Sequence, residues 1–422
     1  MRNFLRAAGA AAAPWLLAVP MAAHSVPPPH TLTLAEARAE ARRTSPELAL
    51  AREAVGAATG RERQAGAWSN PTLSYGREQT SRAGETNSQN ILTLEQPLEL
   101  WGPRGARRRV AGLQRAAAEA RLVAAAARVD YEVVRVYATA VAAQRRAALA
   151  DEAAQAFASA TRVSQARLAG GDVSGYQHRR LLLEAARYST LRSEAIVARD
   201  SALRGLALLT GLLVQGNARD PLLLTDTITP RPVSLSPDSL LALALRTRPD
   251  LLAAQLEADA AAAGVDVATA ERVPVPVLGG GYKGERLATG ESLDGFVAGV
   301  SVPLPLWDRR GGAVAAAKGE AGQRGAEAAA ARRQTEREVM DALEAHEALA
   351  AQLVELDRQL GDEAGKARRA AQAAYAEGEI SLVEWLDAAR AYQEAQTTYV
   401  SLWSDYVTRR AALERLTGRT LF

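Results

Sequence analysis

Apolar and polar positions follow two periods along this chain, and the same order of periods occurs twice. In each half, short stretches with helical spacing of apolar residues precede two runs in which apolar and polar residues alternate. A very long stretch without proline follows them. Alternation with a period of two across a polar loop predicts a β-hairpin, whereas spacings of three and four residues predict helices.

In the first half, Leu73 and Tyr75 alternate with polar residues, as do Leu92 and Leu94. The uninterrupted stretch after them predicts one helix about 100 Å long at 1.5 Å per residue. It ends at Gly170–Gly171, where the chain is expected to turn back. The predicted elements of this half are helices at 33–43, 47–67, 104–169 and 173–212 and strands at 72–80 and 90–98, with a polar loop at 79–87.

The second half repeats this order with almost constant spacing. Matching prolines and glycines of the two halves are 203 to 207 residues apart, which indicates a duplication of whole halves. Its predicted elements are helices at 240–247, 250–272, 309–376 and 380–416 and strands at 276–285 and 294–304. The predicted organisation is a first repeat at 24–213 with a hairpin at 71–98, a linker at 214–238, and a second repeat at 239–422 with a hairpin at 276–304.

The junction between hairpin and long helix has a similar sequence in both repeats. Residues 96–105 read QPLELWGPRG, and residues 302–311 read VPLPLWDRRG. We interpret each as the corner at which a strand turns into a helix, and Pro103 suits the first turn of the helix. The residues shared by the two corners are Pro97, Leu98, Leu100, Trp101, Arg104 and Gly105 in the first and Pro303, Leu304, Leu306, Trp307, Arg310 and Gly311 in the second.

The first 23 residues have the pattern of a secretory signal peptide. Arg2 and Arg6 precede an apolar stretch at 7–19, and Met21–Ala23 is a plausible cleavage site. The alternative is a retained membrane anchor. The apolar stretch, about 13 residues, is shorter than the ~20 needed to cross a bilayer, so we predict export.

Composition argues against several classes of protein. The 422 residues include no cysteine and four scattered histidines, so no cluster has metal-ligand spacing. Phosphate loops, dinucleotide-binding turns and nucleophile signatures are absent, and we expect neither an enzyme nor a cofactor. The net charge of +3 is finely mixed along the chain, which gives no basic block for nucleic acid.

Four strands of about ten residues match the length of a transmembrane β-strand. Four strands cannot close a barrel, and an open edge is not tolerated in lipid, so copies of the chain must supply the rest. A cyclic trimer gives twelve strands and a ring of helical rods. Aromatic residues near the strand ends suit a membrane interface, although they also suit the core of an ordinary sheet. They are Trp68, Tyr75, Trp101, Tyr282, Phe296 and Trp307.

With its two repeats, the two corner motifs and the turn at Tyr375–Ser381, the chain resembles the TolC-like outer-membrane efflux channel family. The resemblance implies a mainly α fold of two tandem repeats, forming a homotrimeric α-helical barrel with a twelve-stranded membrane β-barrel. It also implies a periplasmic adaptor and an inner-membrane pump of the RND type as partners, besides outer-membrane lipid. The QPLELWGPRG form is most similar to the branch that serves cobalt–zinc–cadmium type resistance pumps.

The turns that end the two long helices are expected at the periplasmic tip, because each rod begins at the membrane. By resemblance, such tips close the tunnel and meet the adaptor; a turn with no partner is the alternative. Gly171 and Gly378 tolerate positive φ, and Ser174 and Ser381 suit N-caps. The residues predicted to contact the adaptor are Arg167, Gly171, Ser174, Tyr375, Gly378 and Ser381.

Glu384 and Asp387 lie three residues apart and share one helix face. The resemblance implies that these acidic positions line the tunnel entrance; an exposed first turn favoured by the helix dipole is the alternative. The first repeat has Gln177 and Arg180 at the matching positions, and Arg180 is a candidate partner for either carboxylate. These four residues form the predicted periplasmic aperture.

Three functions therefore remain open. The first is an outer-membrane conduit for small solutes or heavy-metal cations. The second is the same architecture serving type I protein secretion. The third is a soluble periplasmic helical scaffold with a small exposed sheet.

Overall fold

A computed structural model describes residues 30–212, 222–225, 236–419 and 421. The predicted signal peptide at 1–23 and most of the predicted linker at 214–238 lie outside these ranges. The elements in chain order are β1 (His30–Leu32), α1 (Leu34–Thr44), α2 (Pro46–Ala65), β2 (Thr72–Arg82), β3 (Glu85–Pro97), α3 (Pro103–Gly170), α4 (Gly175–Leu209), β4 (Leu222–Leu224), α5 (Pro237–Thr247), α6 (Pro249–Ala270), β5 (Val277–Arg286), β6 (Ser292–Ser301), α7 (Gly311–Glu377) and α8 (Leu382–Thr417).

The predicted fold class is confirmed: the chain is mainly helical, with two tandem repeats that each contribute a hairpin to one sheet. The four strands pair in the order β2–β3–β5–β6, and every neighbouring pair is antiparallel. The hairpin of the second repeat thus adds directly to that of the first.

The prediction of a polar loop at 79–87 is wrong. Strands β2 and β3 stay paired as far as Arg82 and Glu85, so that only Ala83 and Gly84 form the turn. Both turn residues have positive φ, 52° and 90°, as a two-residue hairpin turn requires. The extension carries polar side chains on both faces, and for this reason it gave no alternating apolar signal.

The sheet has one apolar and one mainly polar face, as the alternation predicts. The register places most of the large apolar side chains of the four strands on one side, where they are exposed. The opposite side carries mostly polar and small residues, for example Ser74 hydrogen-bonded to Thr93 at 2.6 Å. It also carries Ile91, Val277, Leu293 and Val297. The apolar face consists of Leu73, Tyr75, Leu92, Leu94, Leu278, Tyr282, Phe296 and Val300.

The long helices α3 and α7 form the framework on which the shorter ones pack. Helices α2 and α4 both lie against α3, and α6 and α8 both lie against α7, while α6 and α8 also contact α3. Much of the core consists of buried alanines such as Ala138 and Ala140, whose small side chains let helices approach closely. None of the helices in the described ranges has a stretch long and apolar enough to cross a bilayer.

The short strands β1 and β4 form a parallel pair that the sequence did not predict. Strand β1 precedes the first predicted helix, and β4 lies within the predicted linker. The hydroxyl of buried Tyr137 donates a hydrogen bond to the carbonyl of Leu32 at 2.9 Å, which fixes β1 against the middle of α3.

Candidate functional site

The turn between α3 and α4, the first tip, is closed by backbone geometry and one reciprocal cap. Gly171 ends α3 with φ 79°, a conformation that favours glycine. The backbone N–H of Gln177 donates to the Ser174 hydroxyl at 3.2 Å, and the N–H of Ser174 donates to the Gln177 amide oxygen at 2.9 Å. This capping box satisfies two of the free N–H groups at the start of α4.

The turn between α7 and α8, the second tip, has the same construction with a charged partner. Gly378 ends α7 with φ 85°. The N–H of Glu384 donates to the Ser381 hydroxyl at 3.3 Å, and the N–H of Ser381 donates to the Glu384 carboxylate at 2.7 Å. The hydrogen bonds from the backbone N–H and the hydroxyl of Ser381 lower the pKa of Glu384.

Aromatic packing, which was not predicted from the sequence, anchors the second tip to the helix pair α3–α4. Trp385 is 2% exposed, and its ring centroid lies 4.7 Å from that of Phe157 on α3 and 5.3 Å from that of Tyr375. The guanidinium of Arg167 donates to the carbonyl oxygen of Tyr375 at 3.1 Å. A tryptophan directly after the capping box, near the start of a helix, was the available signal.

The same packing limits one predicted adaptor contact. The Tyr375 side chain is 3% exposed and is therefore not on the surface of the tip. Arg167 is half-buried, because it spans the two hairpins. Gly171, Ser174, Gly378 and Ser381 are exposed, so the contact predicted for them stays a prediction.

The four predicted aperture residues lie at the two tips but do not pair within one chain. Glu384, Asp387 and Gln177 are exposed, and Arg180 is half-buried. Among the residues that the structure describes, no ion pair joins Arg180 to either carboxylate of the same chain. An ion pair between Glu184 and Arg390 joins α4 to α8 instead.

At the first corner, Arg104 ties the start of the long helix to the end of α2. Its Nε donates to the carbonyl oxygen of Gly66 at 2.7 Å, and its guanidinium lies 4.5 Å from the centroid of the Trp68 ring. Gly102 has φ 86°, and Pro103 is the first helical residue. Pro97 ends β3, Gly105 lies in the first turn of α3, and Trp101 is 55% exposed.

At the second corner, Arg310 makes the equivalent connection with other atoms. It forms an ion pair with Glu271 at the end of α6, and its own N–H donates to the Asp308 carboxylate at 2.7 Å. Gly311 is the first residue of α7, and Pro303 lies two residues beyond β6. Trp307 is 94% exposed, which makes it the most exposed large apolar side chain in the described parts of the chain.

These features define a class of protein in which long helical hairpins carry an amphipathic four-stranded sheet. Within the described residues, no three His, Asp or Glu side chains are placed to hold a metal ion together. The largest concentration of exposed apolar side chains lies on the sheet and its corners. The helical tips present capping residues and charges, together with exposed Tyr176, Leu183 and Val383.

Comparison with known proteins finds a family match in the second half of the chain and two similar proteins. Residues 240–419 match the outer membrane efflux protein family, OEP. The chain is 26% identical to the cobalt-zinc-cadmium resistance protein CzcC of Cupriavidus metallidurans over 394 residues, covering 92% of this chain and 90% of that protein. It is 28% identical to the nickel and cobalt resistance protein CnrC of the same organism over 322 residues, covering 72% of this chain and 70% of that protein.

Solved structures agree on the fold. CusC, described as undergoing conformational changes on folding and transmembrane channel formation, superposes with a TM-score of 0.75 at 19% identity, covering 92% of both chains. VceC, an outer membrane protein of Vibrio cholerae, gives 0.72 at 21% identity, covering 92% of this chain and 97% of that one. The match of residues 240–419 and these superpositions together give the chain the fold of outer membrane efflux proteins.

Proposed function

We propose that the chain is the outer-membrane channel of a tripartite efflux system and that its cargo is heavy-metal cations. The observation that carries this proposal is the amphipathic sheet. Its apolar face is exposed on all four strands, its other face is mainly polar, and neither of its edges has a partner strand among the residues that the structure describes. Such a sheet is stable in lipid only when further strands close it.

Three copies provide the closure. Twelve antiparallel strands form a barrel within the known size range, with the apolar face toward lipid and the polar face toward the lumen. Trp101 and Trp307 are exposed at the corners, where aromatic side chains suit an interface of the outer membrane. Tyr75, Tyr282 and Phe296 lie in one row across the middle of the strands. The long hairpins then extend into the periplasm as a tunnel.

We infer the partners of the channel from its resemblance to outer membrane efflux proteins. A periplasmic adaptor contacts the exposed tip residues, and an inner-membrane pump of the RND type delivers the cargo. Selection takes place at the pump, so the channel is a passive conduit, and catalysis and a resident cofactor form no part of this proposal. The resistance to cobalt, zinc, cadmium and nickel in the names of the two relatives supports metal cations as cargo.

The aperture lies where the tips of the three copies converge. Glu384 and Asp387 of three chains form two anionic rings there, which favour cations in a constriction. Arg180 and Gln177 of the first repeat alternate with them, so the charge of the ring depends on how the two repeats interleave.

Deletion of the coding sequence tests the proposal as a whole. We expect growth of the deletion strain to fail at lower zinc, cobalt, cadmium or nickel concentrations than growth of the parent, and to recover on complementation. A panel of drugs and copper provides the comparison for cargo. Unchanged metal tolerance together with loss of a secreted protein would favour type I secretion instead.

Carbonate washing of membranes tests the location separately. A closed barrel stays in the membrane pellet after the wash. Extraction into the soluble fraction would contradict the channel and favour the periplasmic scaffold.

A further inference from the structure

The two edges of the sheet are the starting point for an inference that rests on the proposed trimer. Strands β2 and β6 each have one neighbour in the sheet, and within the described ranges no other strand pairs with their outer backbone groups. They have 11 and 10 residues, so either edge can pair along its whole length. In a closed barrel, β6 of one copy must therefore meet β2 of the next.

The two hairpins match each other position by position. In the first, Thr72 lies opposite Glu95, two residues before Pro97. In the second, Val277 lies opposite Ser301, two residues before Pro303. The register relative to the flanking prolines is identical, so the duplicated halves provide equivalent strands.

One junction between hairpins is already present within the chain. Strand β3 pairs with β5, and Pro97 lies opposite Val277, the first residue of the second hairpin. The junction between copies joins the same kinds of strand, β6 being the counterpart of β3 and β2 that of β5. The internal junction is thus a template for the one that closes the barrel.

We propose that β6 pairs with β2 of the next copy in the register of the internal junction. This register places Pro303 opposite Thr72 of the next copy, and Ser301 opposite Ser74. It extends the sheet from chain to chain without a change in hydrogen-bond pattern. The intermolecular contact is thereby specified residue by residue.

Side-chain chemistry agrees with this register. Val300 meets Tyr75 of the next copy on the apolar face, an aromatic and β-branched pair of the kind that stabilises sheets. Gly299 meets Gly76 and Ser301 meets Ser74 on the polar face. A slip of one residue would put Val300 opposite a polar-face residue, because it exchanges the two faces of the strand.

The stagger of the closed barrel is the number of residues by which the strands shift after one circuit of hydrogen-bonded partners. This number distinguishes the proposed register from registers slipped by two residues. Across the chain, Thr72 lies opposite Glu95, which lies opposite Gly279, which lies opposite Gly299. The proposed pairing leads on to Gly76 of the next copy, four residues beyond the start. Three copies therefore give a total stagger of about one residue per strand. The (β/α)8 barrel has the same ratio of stagger to strand number, and its strands tilt by about 36°.

A slip of two residues in either direction would change the total stagger by half. The smaller stagger would leave the strands tilted by about 20°, well below the 35–45° of membrane barrels, and the larger would tilt them by about 47°. The proposed register alone falls within the observed range.

The absence of cysteine from the chain permits a direct test by disulfide cross-linking. Three double variants share Ser301→Cys and add Ser74→Cys, Thr72→Cys or Gly76→Cys. The first pair is directly opposed in the proposed register, and the other two would be opposed after a slip of two residues. The matched control is Glu95→Cys with Gly279→Cys, the same positions at the internal junction, where a Cβ on Gly279 would lie 3.5 Å from the Glu95 side chain.

We expect the Ser74→Cys, Ser301→Cys variant to form covalent dimers and trimers on mild oxidation of purified protein. The slipped pairs should link at least about fivefold less, because diagonal neighbours lie roughly 7–8 Å apart and disulfides rarely bridge more than 7 Å. The control should form a disulfide within one chain, detected by mass after alkylation.

The outcomes separate the register from the trimer. Preferential linking of either slipped pair would overturn the register. So would a trimeric protein that forms the control disulfide but links at none of the three intermolecular pairs. A monomeric mass in mild detergent would overturn the trimer itself, and the pairing between copies with it.

Discussion

The two tips have the same backbone and different chemistry. Each ends its long helix with a glycine of positive φ and begins the returning helix with a serine capping box. The third residue of the box is Gln177 in one and Glu384 in the other, and both make the same two hydrogen bonds. The cap therefore needs an acceptor at this position but not a charge.

The two predicted aperture carboxylates therefore differ in whether the cap explains their presence. Glu384 has a structural role that accounts for its presence, because it completes the cap of α8. Asp387 lies one turn further on, is exposed and takes no part in the cap. Its counterpart in the first repeat is Arg180, with the opposite charge. Asp387 is therefore the sharper candidate for a role in the tunnel entrance.

A second difference between the tips concerns the residue that follows the box. Trp385 of α8 packs against Phe157 of α3, so it joins the two helix pairs. His178 of α4 contacts Ser164 of α3 within the same helix pair, and the distance from its Nδ1 to the Ser164 Oγ is 3.2 Å. The change Trp385→Ala should destabilise the tip by about 3–5 kcal/mol, as for other buried aromatics. The change His178→Ala should cost about 1–3 kcal/mol through the unpaired Ser164 hydroxyl.

Hydrogen exchange can measure these two effects separately. The tryptophan variant should lose amide protection on both sides of the packing, around Phe157 on α3 and at the start of α8. The histidine variant should lose it only around the α3–α4 turn. Equal loss in both variants would mean that the two tips open as one unit.

The sequence predicted elements that have a local signature and missed contacts that do not. Both hairpins and both corners follow from alternation and from the repeated prolines. The pairing of β1 with β4 joins three-residue strands that lie far apart in the chain, too short for any periodic signal. Likewise, the contact of Trp385 with Phe157 depends on how the two hairpins pack, which a single sequence does not specify.

Neutral replacement of the aperture carboxylates tests their proposed role. The double variant Glu384→Gln, Asp387→Asn should raise leak conductance or lower cation preference in planar bilayers. The expected change in selectivity is roughly fivefold, equivalent to the ~1 kcal/mol with which a carboxylate attracts a cation about 4 Å away in water. Unchanged currents and selectivity would remove both residues from the gate.

The single variants distinguish the two acids. Glu384→Gln reproduces the cap of the first tip, so we expect it to leave the fold of α8 intact. Most of the change in current should arise from Asp387→Asn. The reverse result would make Glu384 the residue that faces the tunnel.

Removal of the capping serines should have a smaller effect, nearly equal at the two tips. Ser174→Ala and Ser381→Ala should each cost about 1 kcal/mol, the usual value for an N-cap. The measurement is amide exchange in the first turn of α4 and of α8, with Ser189→Ala in the exposed part of α4 as control. A cost confined to the second tip would show that charge at Glu384 matters to the cap.

The smallest expected difference between the tips is in their response to acid, because only one of the two caps contains a titratable group. The hydrogen bonds from Ser381 lower the pKa of Glu384 in the folded chain. Its contribution is therefore complete above the unfolded value, about 4.3, and is lost as the pH falls through the lower folded value. After correction for intrinsic rates, amide exchange in the first turn of α8 should rise below pH 4, whereas that of α4 should not. Glu384→Gln should abolish the difference, and a first turn of α4 equally sensitive to acid would attribute the effect to a general loosening of the bundle.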